Sequence, residues 1–213
     1  MAALVGGVII ACFNKFVLSG DVCRWMSPID IDDDGQSSTS TFEAEIHMHH
    51  WIEGYKKNEM PVLLELFSGT GSIGRAFRQE GWEVVSVDID EDVIASIHID
   101  VRLLTPEMVG NVDLVWASPV CKDFSRARTR ANTPRDLEWA DSLVQAVIDI
   151  TRELRCPAMF ENPESGLLRH RAIVADIPYR VVDYCKYADA RFTHTARKRT
   201  AIWCIDVGWR PER

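Results

Sequence analysis

From Pro61 onward, short apolar runs alternate with helical stretches, and that alternation leaves the chain few ways to fold. "VLLELF", from Val62, reads as a strand buried on both faces. "SIGRAFRQEG" follows as a helix, with Gly81 placed to end it. "EVVSVDI" is a second strand, and "EDVIASIHI" is expected to be a short helix running into a third. "VDLVWAS" is a fourth strand. In "PRDLEWADSLVQAVIDITREL", Leu137, Ala140, Leu143, Val144, Val147 and Ile150 recur at helical spacing. "PAMFEN" supplies a fifth strand. "YRVVDYC" and "TAIWCIDV" supply two more, the last suited to an antiparallel edge. Strands in alternation with helices predict an α/β fold, a doubly wound and mostly parallel sheet. Ligands of such sheets sit outside the carboxyl ends of the strands.

The region before Pro61 has a different character. Residues 1–60 carry nine acids and four bases, and form an N-terminal extension. "SPIDIDDDGQSSTS" reads as an acidic, Gly/Ser-rich linker, and the stretch from Thr41 as a helix capped by Thr41 or Ser40. His47, His49 and His50 cluster there, but solvation or packing explains them more simply than a metal. The apolar opening "MAALVGGVIIACF" lacks a basic leader and is too short to span a bilayer. A strand or buried helix docked on the domain is the preferred reading. Residues 61–213 form the main domain. Six cysteines without a CxxC pair argue against a zinc site and a disulfide scaffold, and for an intracellular location, cytoplasmic or nuclear.

Four of the expected strand ends carry reactive or ligand-binding residue types. Between the first strand and its helix, Gly69, Gly71 and Gly74 fit G-x-G-x-x-G. The loop suits NAD, FAD or S-adenosylmethionine, or is simply a tight turn. Asp88 closes the second strand, nineteen residues after Gly69, where an acid can accept from both ribose hydroxyls. Asp100 closes the third and could accept from an adenine amino group; helix capping is the alternative for either acid. Cys121 follows the fourth strand. Lys122 and the arginines beyond it would favour the thiolate, though a lone cysteine is more often structural. Glu161, in "FENP" after the fifth strand, could hold or protonate a bound ring, or be an ordinary loop carboxylate. The net charge of −8 excludes a uniformly basic nucleic-acid binder. Between residues 122 and 135, however, Lys122, Arg126, Arg128, Arg130 and Arg135 face one acid, Asp123. That segment is either a phosphate-contacting patch or a solvated loop.

Together these residues resemble the DNA cytosine-C5 methyltransferase family over roughly Leu63 to Trp203. "ELFSGTGSIG" is similar to its cofactor motif, "SPVCKDFSRA" to its Pro-Cys motif, "FENP" to its Glu-Asn-Val motif, and "TARKR" to its Gln-x-Arg-x-Arg motif. The resemblance implies a Rossmann-like methyltransferase sheet with S-adenosyl-L-methionine as cofactor and DNA as partner. It places Phe67 against the adenine, Ser68, Gly69, Thr70 and Gly71 in the cofactor loop, Asp88 and Ile89 at the ribose, Asp100 at the adenine amino group, and Pro119 beside the cofactor. It makes Cys121 the nucleophile on cytosine C6 and has Glu161 engage N3 and the exocyclic amine. Arg199, with Arg197 nearby, would contact the base oxygen and orient the glutamate, and the arginines after Cys121 would form a loop that closes on DNA.

The sequence departs from the family's pattern at Val120, Lys122, Pro163 and Thr195, where proline, glutamine, valine and glutamine are usual. Fourteen residues follow Arg199, so target recognition is expected from short loops, from a partner chain, or hardly at all, and the helix from Thr41 is expected to replace the family's last motif. Three rival readings remain: a non-catalytic regulatory subunit of the same fold, an RNA cytosine methyltransferase, and a nicotinamide-dependent oxidoreductase using the glycine loop alone.

Overall fold

The computed structural model describes residues 60–128, 133–183 and 198–207. The readings of the N-terminal extension, Arg130, Thr195 and Arg197 lie outside these residues.

Seven strands form one sheet: β1 (Val62–Leu66), β2 (Glu83–Asp88), β3 (Ile97–His98), β4 (Leu114–Ala117), β5 (Ala158–Pro163), β6 (Tyr179–Asp183) and β7 (Arg199–Ile205). Their spatial order is β3-β2-β1-β4-β5-β7-β6. The first five run parallel, and β7 is antiparallel to both β5 and β6. The expected doubly wound, mostly parallel sheet is therefore present. Its antiparallel strand is the last one, lying one place in from the edge with β6 outside it.

Side-chain alternation shows why the strands read as continuous apolar runs. Leu64 and Leu66 of β1 pack on one face with Val115 and Ala117 of β4, while Leu63 of β1 packs on the other with Leu114 and Trp116. Both faces are covered, so both sets of positions must be apolar. Helix α1 (Ser72–Gln79) seals the second face through Ile73 and Phe77, four residues apart. It ends at Gly81 (φ 84°), where Phe77 meets Trp82 edge-on at 5.1 Å. The one-turn helix α2 (Pro106–Val109) precedes β4. Helix α3 (Leu137–Leu154) covers the first face with Ala140, Leu143, Val144, Val147, Ile148 and Ile150. Asp136 caps α3 by accepting from the Trp139 amide at 2.8 Å.

The helix expected in "EDVIASIHI" does not form, and β3 is only two residues long. The Asp90 carboxylate takes the Asp92 amide at 3.0 Å, an Asx turn that competes with a helical start. Ser96 is then pinned to β2, with its amide on the Ser86 hydroxyl (3.0 Å) and its hydroxyl near the Ser86 amide (3.2 Å).

Glu65 is buried within β1, on the face that α1 covers. Burial pushes its carboxyl upward, and the Gly74 amide and Arg78 draw it partly back. A Cβ on Gly74 would meet the Glu65 carboxylate and stand 2.9 Å from Val84 Cγ1. One or both of these side chains must shift to admit the methyl, so Gly74→Ala is expected to cost about 1–3 kcal/mol. Urea denaturation followed by circular dichroism checks this.

Candidate active site

The order reverses between β1 and β4, and the crevice at their carboxyl ends is where such sheets hold ligands. Phe67 leaves β1 with φ 56°, a left-handed conformation that costs a bulky residue energy. Gly69 (φ 47°) and Gly71 (φ 63°) continue the turn without that cost. Where a Cβ would stand on either glycine, there is nothing within 4 Å. Thr70 and Ser72 share a hydroxyl hydrogen bond of 2.7 Å, while Ser68 is buried with a hydroxyl that has no partner. Asp88 Oδ2 accepts from the Gly69 amide at 2.7 Å, and Oδ1 from the Asp90 amide at 3.0 Å. Asp88 thus fixes the glycine loop to the end of β2. Ile89 beside it is 66% exposed, an apolar surface at the rim of the crevice.

Asp100 sits differently. Its carboxylate caps the 3-10 turn Val101–Leu103 and grips the Arg102 guanidinium (Nε to Oδ1, 3.0 Å). That hydrogen bond holds the Asp100 carboxyl below the usual carboxylate range. The capping alternative is realised here, and Asp100 reaches another ligand only by sharing its oxygens with Arg102.

Across the crevice, Ser118 donates its amide to Leu66 O at 3.2 Å, setting the ends of β4 and β1 side by side. Pro119 is buried and Cys121 exposed. Two other described cysteines, Cys156 and Cys204, are buried, and burial pushes each thiol up to about 11. A buried thiol that resists ionisation is a poor nucleophile, so among the described residues Cys121 is the thiol open to a reaction partner. From β5, Asn162 donates to Pro119 O at 3.1 Å. This buried bond ties the loop bearing Cys121 to the strand bearing Glu161.

Glu161 is the least settled group in the site. Its Oε2 is buried without a hydrogen-bond partner, and Oε1 lies 3.8 Å from Lys198 Nζ. Burial pushes its carboxyl upward, with Lys198 pulling back. Arg199, expected to orient this glutamate, instead lies 4.0 Å from Asp183. Pleating explains the difference. Glu161 is paired with Ile202, so Thr200 and Lys198 share its face of the sheet and Arg199 points to the other. Lys198, Asn162 and Glu65 had no role in the sequence reading. Strand parity would have singled out Lys198 had the register been known.

The basic segment after Cys121 is only partly available to a partner. Arg128 is clamped to Asp123 Oδ1, each side chain 9% exposed. Arg135 donates to the carbonyls of Asp123 (2.7 Å) and Ser125 (2.9 Å). These two arginines hold the loop in shape, whereas Lys122 and Arg126 are exposed.

This topology defines an α/β domain in which the glycine loop, the exposed thiol and the buried carboxyl belong to the neighbouring strands β1, β4 and β5. No family model matches the chain. Over 169 residues it is 34% identical to a probable DNA (cytosine-5)-methyltransferase of Frog virus 3 (isolate Goorha), a match spanning 70% of this chain and 73% of the viral protein. The chain belongs to the DNA (cytosine-5)-methyltransferase family. Among solved structures, the magnesium protoporphyrin IX methyltransferase of Synechocystis PCC 6803 with bound SAM superposes with a TM-score of 0.44 at 14% identity, over 93% of this chain and 96% of that one. A Thermoplasma acidophilum protein gives 0.41 at 14% identity, over 80% and 91%.

Two outcomes are expected. Asp123→Ala leaves Arg128 as an uncompensated, nearly buried charge, at a cost of about 3–5 kcal/mol. Urea titration measures that loss, and trypsin should cut the loop after Arg126 or Arg128 faster than in the wild type. The second concerns Glu161. Its folded-state carboxyl titrates above the unfolded value, so folding takes up a proton between the two. Stability contributed at low pH is lost as pH rises through the folded value. The melting temperature of Glu161→Gln should therefore gain on that of the wild type as pH rises.

Proposed function

We propose that the protein transfers a methyl group from S-adenosyl-L-methionine to C5 of cytosine in DNA, through a covalent adduct of Cys121 with C6 of a flipped base. The observation that carries this reading is the Asn162–Pro119 hydrogen bond, which puts the exposed thiol loop beside the strand holding Glu161.

The cofactor reading rests on the open, left-handed cradle at Gly69 and Gly71, which matches what a closely approaching ligand requires. Phe67, Ser68, Thr70, Asp88, Ile89 and Pro119 would line that pocket, with Asp100 contributing if it shares its carboxylate with Arg102. When bound, S-adenosyl-L-methionine supplies an electrophilic sulfonium methyl group.

The chain's own residues would act on the base. Cytosine C5 is a weak nucleophile. Addition of the Cys121 sulfur at C6 pushes electron density toward C5, and a proton or strong hydrogen bond at N3 draws the ring further toward an enamine. Glu161 suits that second task because burial favours its protonated form, the form able to donate. Lys198 would set how readily the proton is held, and Arg199 would contact the base oxygen after parting from Asp183. Arg197 takes its role from the motif. Once C5 carries the methyl group, water takes the C5 proton, the C5–H electron pair expels the Cys121 sulfur as thiolate, and N3 returns its proton to Glu161, which restores the aromatic ring. The target carbon is out of reach in a stacked duplex, so the base must leave the helix at a cost of a few kcal/mol. Backbone contacts by the exposed cations after Cys121 would help offset it.

Incubation with S-adenosyl-L-methionine and 5-fluorocytosine DNA tests the mechanism, because fluorine at C5 blocks the final elimination. A denaturation-resistant protein–DNA adduct is expected from the wild type and none from Cys121→Ser. Methyl transfer to ordinary cytosine DNA that survives in Cys121→Ser would refute the covalent route.

A further inference from the structure

The β5 loop carries a group of cations outside the sequence motifs. Pro163 ends β5, and the chain turns through Gly166 into the 3-10 turn Leu168–His170. This turn is fastened to the Cys121 loop: the Leu167 amide donates to Phe124 O at 2.8 Å, and a Cβ on Gly166 would come within 2.9 Å of Pro163 O and 3.4 Å of Phe124 O. Arg126 from one loop and Arg169 from the other converge on a single atom. Arg126 Nη2 lies 3.4 Å from His170 Nε2, and Arg169 Nε lies 3.1 Å from it. A guanidinium can only donate, so in both contacts the imidazole nitrogen is the acceptor.

The arrangement leaves positive charge uncompensated. Arg169 has Glu164 as partner at 2.5 Å, but Arg126 has no carboxylate among the described residues. Two like charges held beside each other repel, and an anion placed against both turns that repulsion into attraction. The fork of each guanidinium suits phosphate oxygens. Arg126 and His170 are solvent-exposed, at the same sheet edge as Cys121.

We propose that Arg126, Arg169 and His170 form a backbone-phosphate site that holds the DNA strand beside the extruded cytosine. The inference rests on the DNA-methylation reading above and adds the β5 loop to the DNA-contacting surface. Because the two loops are fastened together, a phosphate bound there would also fix the position of the loop that carries Cys121.

The test is binding of a fluorescein-labelled DNA duplex by anisotropy across a series of KCl concentrations, using the full chain. Each lost phosphate contact flattens the plot of log affinity against log salt by about 0.9. Arg126→Ala and Arg169→Gln should each show this flattening, with weaker binding on every duplex sequence. Arg152→Ala, an exposed position in the last turn of α3 where the chain enters the start of β5, should keep the wild-type slope. Arg126 is exposed, so its variant decides the matter even if Arg169→Gln folds poorly. Wild-type slopes in Arg126→Ala overturn the proposal, as does equal flattening in Arg152→Ala, which would signal diffuse charge. In either case a wild-type adduct with 5-fluorocytosine DNA leaves the methylation reading standing. A wild type that neither binds duplex nor forms the adduct, or that forms it with RNA alone, overturns both.

Discussion

A sheet covered on both faces has only the ends of its strands left for chemistry, and this constraint organises the whole molecule. Helix α1 seals one face and helix α3 the other. The side chains between them are committed to packing, and a polar intruder is costly there. Functional groups therefore collect where strands run out. Gly69, Asp88, Cys121 and Glu161 come from four different strand ends, yet parallel pairing brings them to one edge. The order of the sheet matters as much as its coverage. The strands bearing the glycine loop and the thiol are neighbours, as are the strands bearing the thiol and the buried acid.

The site is also an electrostatic device. Glu161 has one oxygen near an ammonium group and the other facing no partner. Burial favours the neutral acid and Lys198 favours the anion, so the group is held between two opposing influences. Asp88 is used in the opposite manner. Both its oxygens already accept backbone amides, which makes it part of the frame that shapes the cofactor loop. The arginines after Cys121 likewise divide into braces and free cations. Sequence shows the number of charges in such a segment, but only folding assigns them partners.

Much of the fold was legible because its periodicities are local. The continuous runs of β1 and β4 announced burial on both faces, and the spacing of Ala140, Leu143, Val144 and Val147 announced α3. The segment after Asp88 misled, because Asp90 offers its carboxylate to the backbone two residues on and so diverts a helical pattern into a turn. The position of β7 could not be read either. An antiparallel strand fits an edge or an interior slot equally well, and the choice depends on long-range pairing with β5 and β6. The same holds within the site. Cys121 was visible from its place at a strand end. The partner of Glu161 was not, since a single residue of register decides whether Lys198 or Arg199 faces it.

The antiparallel insertion of β7 has a consequence for how such a molecule can be altered. Asp183 at the end of β6 pairs directly with Arg199 at the start of β7. The end of β6 and the start of β7 therefore lie side by side, next to the carboxyl end of β5. Altering either Asp183 or Arg199 would loosen the joint at which these two strands meet.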